Sequence, residues 1–162
     1  MRLQHRATIE DFKNAQNNGI YIGQIVPNNR TLIFDRGDKS TFIKARHEIK
    51  NNKKESHWIW YVIPSNNNKG SITSNFFSVS EKPRENTLSV SEYLSDKILM
   101  KRYIKIIELL AGKNKYQLIQ LFGIVDYNKL VKSIKIFYPI LLQKIIKLDK
   151  IKKLYKENHS FV

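Results

Sequence analysis

Lys54, Ser56, His57, Trp58, Trp60 and Tyr61 fall within eight consecutive positions, Pro64 closes the run, and both tryptophans of the chain sit here. Lysine, histidine and indole in close order suit the wall of a pocket. The rings stack on a base or a nicotinamide, a lysine holds phosphate, and an imidazole moves a proton. The same residues equally build a buried aromatic hinge, each indole covering a large area with its N–H satisfied locally. Taken alone, the run supports both readings. Other chemistries are poorly provided for. His5, His47, His57 and His159 lack metal-ligand spacing and there is no cysteine, so no metal site is expected. The six glycines are scattered rather than gathered into a phosphate loop, and no Gly-x-Ser-x-Gly elbow occurs. The 14 acids are dispersed, unlike the cluster that a two-metal nuclease needs. No cofactor is called for.

The elements that position these residues are mostly helical. Thr8, with Asp11 three residues on, predicts a capped helix carrying Phe12 and Ala15 or Gln16 on one face and ending at Asn17-Asn18-Gly19. Ile20 to Val26 and Arg30 to Phe34 are β-branched and aromatic, and Pro27-Asn28-Asn29 between them predicts a hairpin. Ser40 is the expected cap of a helix reaching about Asn51, with Phe42, Ala45 and Ile49 inward. Ser71 to Val79 reads as a short helix or irregular chain. Ser89 or Ser91 starts a short helix, and Asp96 caps another that Gly112 stops. Lys115 to Phe122 closes at Gly123, and Asp126 caps a helix through Phe137. Pro139 is expected to open a last, Lys-rich helix over 139–158, with Leu141, Leu142, Ile145, Ile146 and Leu148 inward.

The 162 residues fit one domain, mainly α, with one small β-hairpin near the N-terminus. The lack of cysteine suits a reducing, cytoplasmic setting. The charged start from Met1 to Arg6 has no apolar stretch behind it, and no segment reaches the roughly 18 apolar residues of a membrane span, so no membrane partner is expected. Lys+Arg 29 against Asp+Glu 14 gives +15, unevenly spread: 15 basic and 10 acidic residues up to Met100, 14 and 4 from Lys101 onward. One reading is a phosphate-binding face on the C-terminal helices that takes nucleic acid. The other is an AT-rich genome, which favours the abundant Lys, Ile and Asn.

The sequence Ala45-x-x-Glu48-Ile49-x-x-x-x-Lys54-x-Ser56-His57-Trp58-Ile59-Trp60-Tyr61-x-x-Pro64 resembles the signature of a bacterial family of unknown function, often labelled calpastatin-like. The likeness continues in order through Phe12-x-x-Ala15-Gln16, Ser71 to Val79, Glu92-Tyr93-Leu94 with Leu99 and Arg102, and Phe122-Gly123-x-x-Asp126-x-x-Lys129-x-x-x-Ser133-x-x-x-Phe137. It departs where Asn52 replaces a glycine, Ser65 a glutamine and Lys135 a threonine, and where residues 19–39, with the hairpin, look like an insertion. That family is similar in fold to the NADAR (YbiA-like) group of helical domains, some members of which hydrolyse N-glycosidic bonds of riboflavin-pathway intermediates or remove ADP-ribose from nucleobases.

The resemblance implies a compact NADAR-like multi-helix domain and an N-glycosidase acting on a nucleotide or ADP-ribose-type substrate, ADP-ribosylated nucleic acid being one candidate. Such cleavage passes through an oxocarbenium-like state, so the site must stabilise positive charge on the sugar and protonate the departing base. Lys54, His57 and Asp126 are the catalytic candidates; Ser56, Trp58, Trp60, Lys129 and Ser133 are the substrate-binding candidates. Each has a plainer role: a helix cap for Asp126, a solvated helix end for Lys54, a hydrogen-bonded core histidine for His57. The alternative for the whole chain is a non-enzymatic basic module that binds nucleic acid through its Lys-rich C-terminal helices.

Overall fold

The computed structural model describes residues 6–19, 24–26, 30–32, 41–66, 72–144 and 149–158. Eight helices and one strand pair occur among them: α1 Ile9–Asn18, β1 Gln24–Val26, β2 Arg30–Leu32, α2 Phe42–Lys50, α3 Ile59–Val62, α4 Ile72–Phe76, α5 Val90–Ser95, α6 Lys97–Leu110, α7 Lys115–Gln143 and α8 Asp149–Asn158. The fold is mainly helical, with one antiparallel strand pair among the described residues that sets Gln24 against Leu32 and Val26 against Arg30. Residues 27–29, where a hairpin turn is expected, lie outside the described residues. No described helix is long and apolar enough to cross a membrane.

Short polar residues set the helix starts. Thr8 and Asp11 form a reciprocal capping box on α1, Ser89 and Glu92 another on α5, and Asn114 and Gln117 a third on α7. Asp96 ends α5 and caps α6 through the backbone N–H groups of Ile98 and Leu99. The cap of α2 is Thr41, one residue beyond the expected Ser40, which is outside the described residues.

Two expectations for the C-terminal third need correction. Pro139 does not open a helix over 139–158; it lies inside α7, which runs on to Gln143, and α8 is separate. A proline removes one backbone donor, but this one faces solvent, where the freed carbonyl four residues back can be hydrated. Leu142, expected inward, is 51% exposed. Ile145, Ile146 and Leu148 lie outside the described residues. The interruption of α7 is at Gly123, whose φ 78 and ψ 162 are non-helical. That region of backbone space is essentially open only to glycine.

The helices pack around an aromatic spine. Phe12 meets Phe77 and Tyr93 edge-on at 5.3 and 5.1 Å, Tyr93 meets Phe137 at 5.5 Å, and Phe137 stacks on Tyr103 at 4.1 Å. A polar cluster is sewn into it. The Gln16 amide donates to the Tyr61 carbonyl and the Tyr93 hydroxyl, and Arg102 donates to the Gln16 oxygen. Gln16 comes from one piece of the motif and Tyr93 and Arg102 from another, and here they serve the core. α6 and α8 pack against each other, and α8 also lies along α7. The Tyr127 hydroxyl donates to buried Asn158 at 2.6 Å.

Candidate functional site

The site grows from the end of α2. Helical spacing turns Ala45, Glu48 and Ile49 inward, which buries a carboxylate at the last turn. The chain then reverses at Asn52, whose φ of 58 is left-handed. This is the position where the motif carries glycine. Asparagine tolerates that conformation better than most residues, so the departure is absorbed by the backbone. The reversal brings residues 54–58 back over Glu48, and the Lys54 N–H ties this segment to the Leu121 carbonyl just before the kink of α7.

Glu48 organises the returning segment. One oxygen accepts from the backbone N–H groups of Glu55 and Ser56 at 2.7 and 3.0 Å and from the Trp58 indole at 2.9 Å. The other accepts from the Ser56 hydroxyl at 2.5 Å. Burial by itself would push this carboxyl up. The hydrogen bonds from Ser56, Trp58 and the two backbone groups outweigh it and hold the group below its ordinary 4.5. Glu48 was not among the expected site residues. Its place in the motif was visible, but its donors converge only in three dimensions.

Trp58 is thereby fixed. It is wholly buried, with its N–H committed to Glu48 and its ring edge-on to Phe122 at 6.0 Å. It backs the site rather than facing a ligand. Trp60, two residues on in α3, is only partly buried; His57 stacks with it at 6.1 Å and 11°, and the Lys129 ammonium lies 5.3 Å from its ring centre.

Asp126 is the meeting point. The Lys54 ammonium approaches one of its oxygens at 3.0 Å and the Lys129 ammonium the other at 3.4 Å. Lys54 also donates to the Ser56 carbonyl at 2.5 Å and lies 5.2 Å from the Trp58 ring. Its side chain is 8% exposed, whereas Asp126 and Lys129 keep 20% and 24%. Asp126 stands three residues past the kink at Gly123, in the first turn of the second limb of α7, where a negative charge suits the helix dipole.

The expected residues thus divide. Lys54, Ser56, Trp58, Asp126 and Lys129 come together, joined by Trp60 and His57 at the outer edge. Ser133 does not join them: it is fully buried and its hydroxyl shares a 3.0 Å hydrogen bond with Tyr103. Ser65, at the glutamine position of the motif, has a buried hydroxyl with no hydrogen-bond partner among the described residues, and Lys135, at the threonine position, is exposed. No group of three or more His, Asp or Glu side chains able to hold a metal ion occurs among the described residues.

A family profile described as "Protein of unknown function (DUF1810)" matches residues 30–160. The chain belongs to the DUF1810 family. The crystal structure of the conserved hypothetical protein Rv1873 from Mycobacterium tuberculosis is similar in fold, with a TM-score of 0.57 and 20% identity over 74% of this chain and 85% of that one. No functionally curated protein matches. The matched span begins at β2 and leaves out α1, although α1 packs on α2 and α3 and supplies Phe12 and Gln16 to the core. In this DUF1810 chain the buried Glu48–Trp58 pair backs a carboxylate held by two lysines.

Proposed function

We propose that this DUF1810 chain is a NADAR-like hydrolase that cleaves the N-glycosidic bond of a ribosyl-base or ADP-ribose-type substrate, with residues 19–39 inserted into the common fold. The observation that carries this reading is the convergence of Lys54 and Lys129, from two distant parts of the chain, onto the Asp126 carboxylate beside Trp60 and His57. In such a reaction the C1′–N bond breaks with its electron pair passing to the base nitrogen, which is protonated. Water then adds its oxygen to C1′ and releases a proton. Asp126, placed between two ammonium groups, stabilises the positive sugar or orients the water. Lys54 is a positioning residue, since its mostly buried ammonium already holds Asp126 and the Ser56 carbonyl. Lys129 takes phosphate, Trp60 stacks the base, and His57 supplies the proton to the leaving group.

The test is hydrolysis of an oligonucleotide carrying an ADP-ribosylated base, followed by mass spectrometry. Asp126→Asn should lower kcat by roughly 100-fold or more with KM little changed, since it removes charge needed only at the transition state. Lys129→Ala should raise KM. A wild-type chain that neither binds ADP-ribose in a calorimetric titration nor turns over any ribosyl substrate overturns the proposal.

A second reading is favoured by α8, where Ile151 and Leu154 are buried while Lys150, Lys152, Lys153 and Lys156 are exposed. It is a basic nucleic-acid-binding module. Salt-sensitive binding to plain DNA, lost on reversing those charges and coupled to no turnover, would support it.

A further inference from the structure

On another face of the molecule, a cavity of about 470 Å³ lies between the start of α1 and the turn at 84–87. That volume falls within the range of small-molecule sites, roughly 300–1,000 Å³, and far exceeds what a lone ion needs. Both walls are held in place. The Ala7 N–H bonds to the Phe76 carbonyl at 2.8 Å, and the Arg6 guanidinium donates to the Asn75 carbonyl at 2.6 Å. Opposite, Arg84 and Thr87 bridge across a tight turn in which Asn86 takes a left-handed φ of 59. The floor is apolar, from Ala7, Ile9 and Leu88.

The charges of the lining are unequal in their commitments. Glu92 accepts from the Ser89 N–H in the cap of α5, and Glu10 lies 3.6 Å from the Lys13 ammonium. Among the described residues, neither Arg6 nor Arg84 has a carboxylate within ion-pair distance. The two guanidiniums line one space with Glu10 and Glu92, and neither guanidinium is paired with those carboxylates. Burial and then the neighbouring charge of Arg84 hold the Arg6 pKa below its ordinary value, as expected for cations that repel across a partly desolvated gap. The Asn86 amide and the Thr87 hydroxyl make no hydrogen bond with the described residues and stand ready as further polar partners.

We infer that this cavity is a second ligand site, separate from the Asp126 cluster, which takes a small organic phosphate between Arg6 and Arg84. A phosphate can bridge the two guanidiniums that no carboxylate engages, their forks suit its oxygens, and the apolar residues of the lining accommodate the carbon part of the ligand. The site does not depend on the proposed hydrolase activity.

Titration of the full chain with glycerol 3-phosphate, followed by amide NMR and calorimetry, tests it, with inorganic phosphate and glycerol as companions. The expected result is saturable binding of glycerol 3-phosphate, weaker binding of phosphate and none of glycerol. Shifts should concentrate at residues 6–10 and 84–88. Arg84→Glu, at an exposed position that leaves folding intact, should weaken binding at least tenfold, whereas Lys129→Ala and Lys152→Glu should leave it unchanged. Loss of binding in Lys129→Ala but not in Arg84→Glu overturns the inference, because the phosphate then goes to the Asp126 cluster. An equal weakening by Lys152→Glu overturns it as diffuse attraction to a basic surface, and so does the absence of binding at millimolar ligand.

Discussion

Removing the Glu48 carboxylate would strand four donors in the interior: two backbone N–H groups, the Ser56 hydroxyl and the Trp58 indole. Unsatisfied buried donors cost about 1–3 kcal/mol each where water cannot replace the partner, and relaxation recovers part of that. Glu48→Ala is therefore expected to lose about 3–5 kcal/mol in chemical denaturation and to loosen Lys54 from Asp126. The same carboxylate makes a pH prediction. Its folded pKa lies below the unfolded value, so its stabilisation is complete above the ordinary 4.5 and is lost as pH falls through the folded value. Circular-dichroism melts should show stability falling on the acid side of pH 4.5, with Glu48→Gln flattening that limb. An unchanged acid limb in Glu48→Gln would remove Glu48 as its source. At this scale the sequence was informative about which residues belong together, but not about which of them face outward. Lys54, Asp126 and Lys129 were legible because helical spacing and collinear motif pieces place them. The burial of Trp58 and Ser133 was not, since an indole or a hydroxyl in a motif reads the same whether its partner is a ligand or Glu48 and Tyr103.

Among the elements, the kinked α7 decides where Asp126 points. A side chain at Gly123 would meet nothing within 4 Å, so the obstacle to substitution is conformational. Gly123→Ala must either adopt a backbone region costing about 1–3 kcal/mol or straighten the helix. We expect a stability loss of that size, and a weaker Lys54–Asp126 pair seen as a changed Lys54 ammonium resonance in NMR. A variant as stable as the parent, with that resonance unmoved, would show that the kink is not what aims Asp126. The stop at Gly123 was readable in the sequence, as were the caps at Thr8, Ser89 and Asp96, because each is a local contract between a side chain and the nearest backbone donors. Pro139 was misread for the opposite reason. Proline is compatible with both a helix start and an exposed helix interior, and only packing on α8 and the core tells them apart.

For the whole molecule the governing quantity is the +15 charge. Like charges on one small body repel, which raises the free energy of the folded state at low ionic strength. Screening lengths shrink from about 30 Å at 0.01 M salt to about 8 Å at 0.15 M. The midpoint of thermal unfolding should therefore rise by a few degrees over that range in sodium chloride, as calorimetry would show; a falling midpoint would mean that attractive pairs such as Lys13–Asp96 and Lys54–Asp126 dominate instead. Composition announced the charge but not its consequence, because distribution over a folded surface is set by the packing of α6, α7 and α8. The chain's two tryptophans both belong to the Asp126 cluster, one sealed against Glu48 and one at the rim against His57 and Lys129. Intrinsic fluorescence of the unlabelled protein is thus a private optical channel to this cluster: a deep, solvent-shielded emitter and a shallow one that a quencher can reach, with no tryptophan elsewhere to dilute the signal.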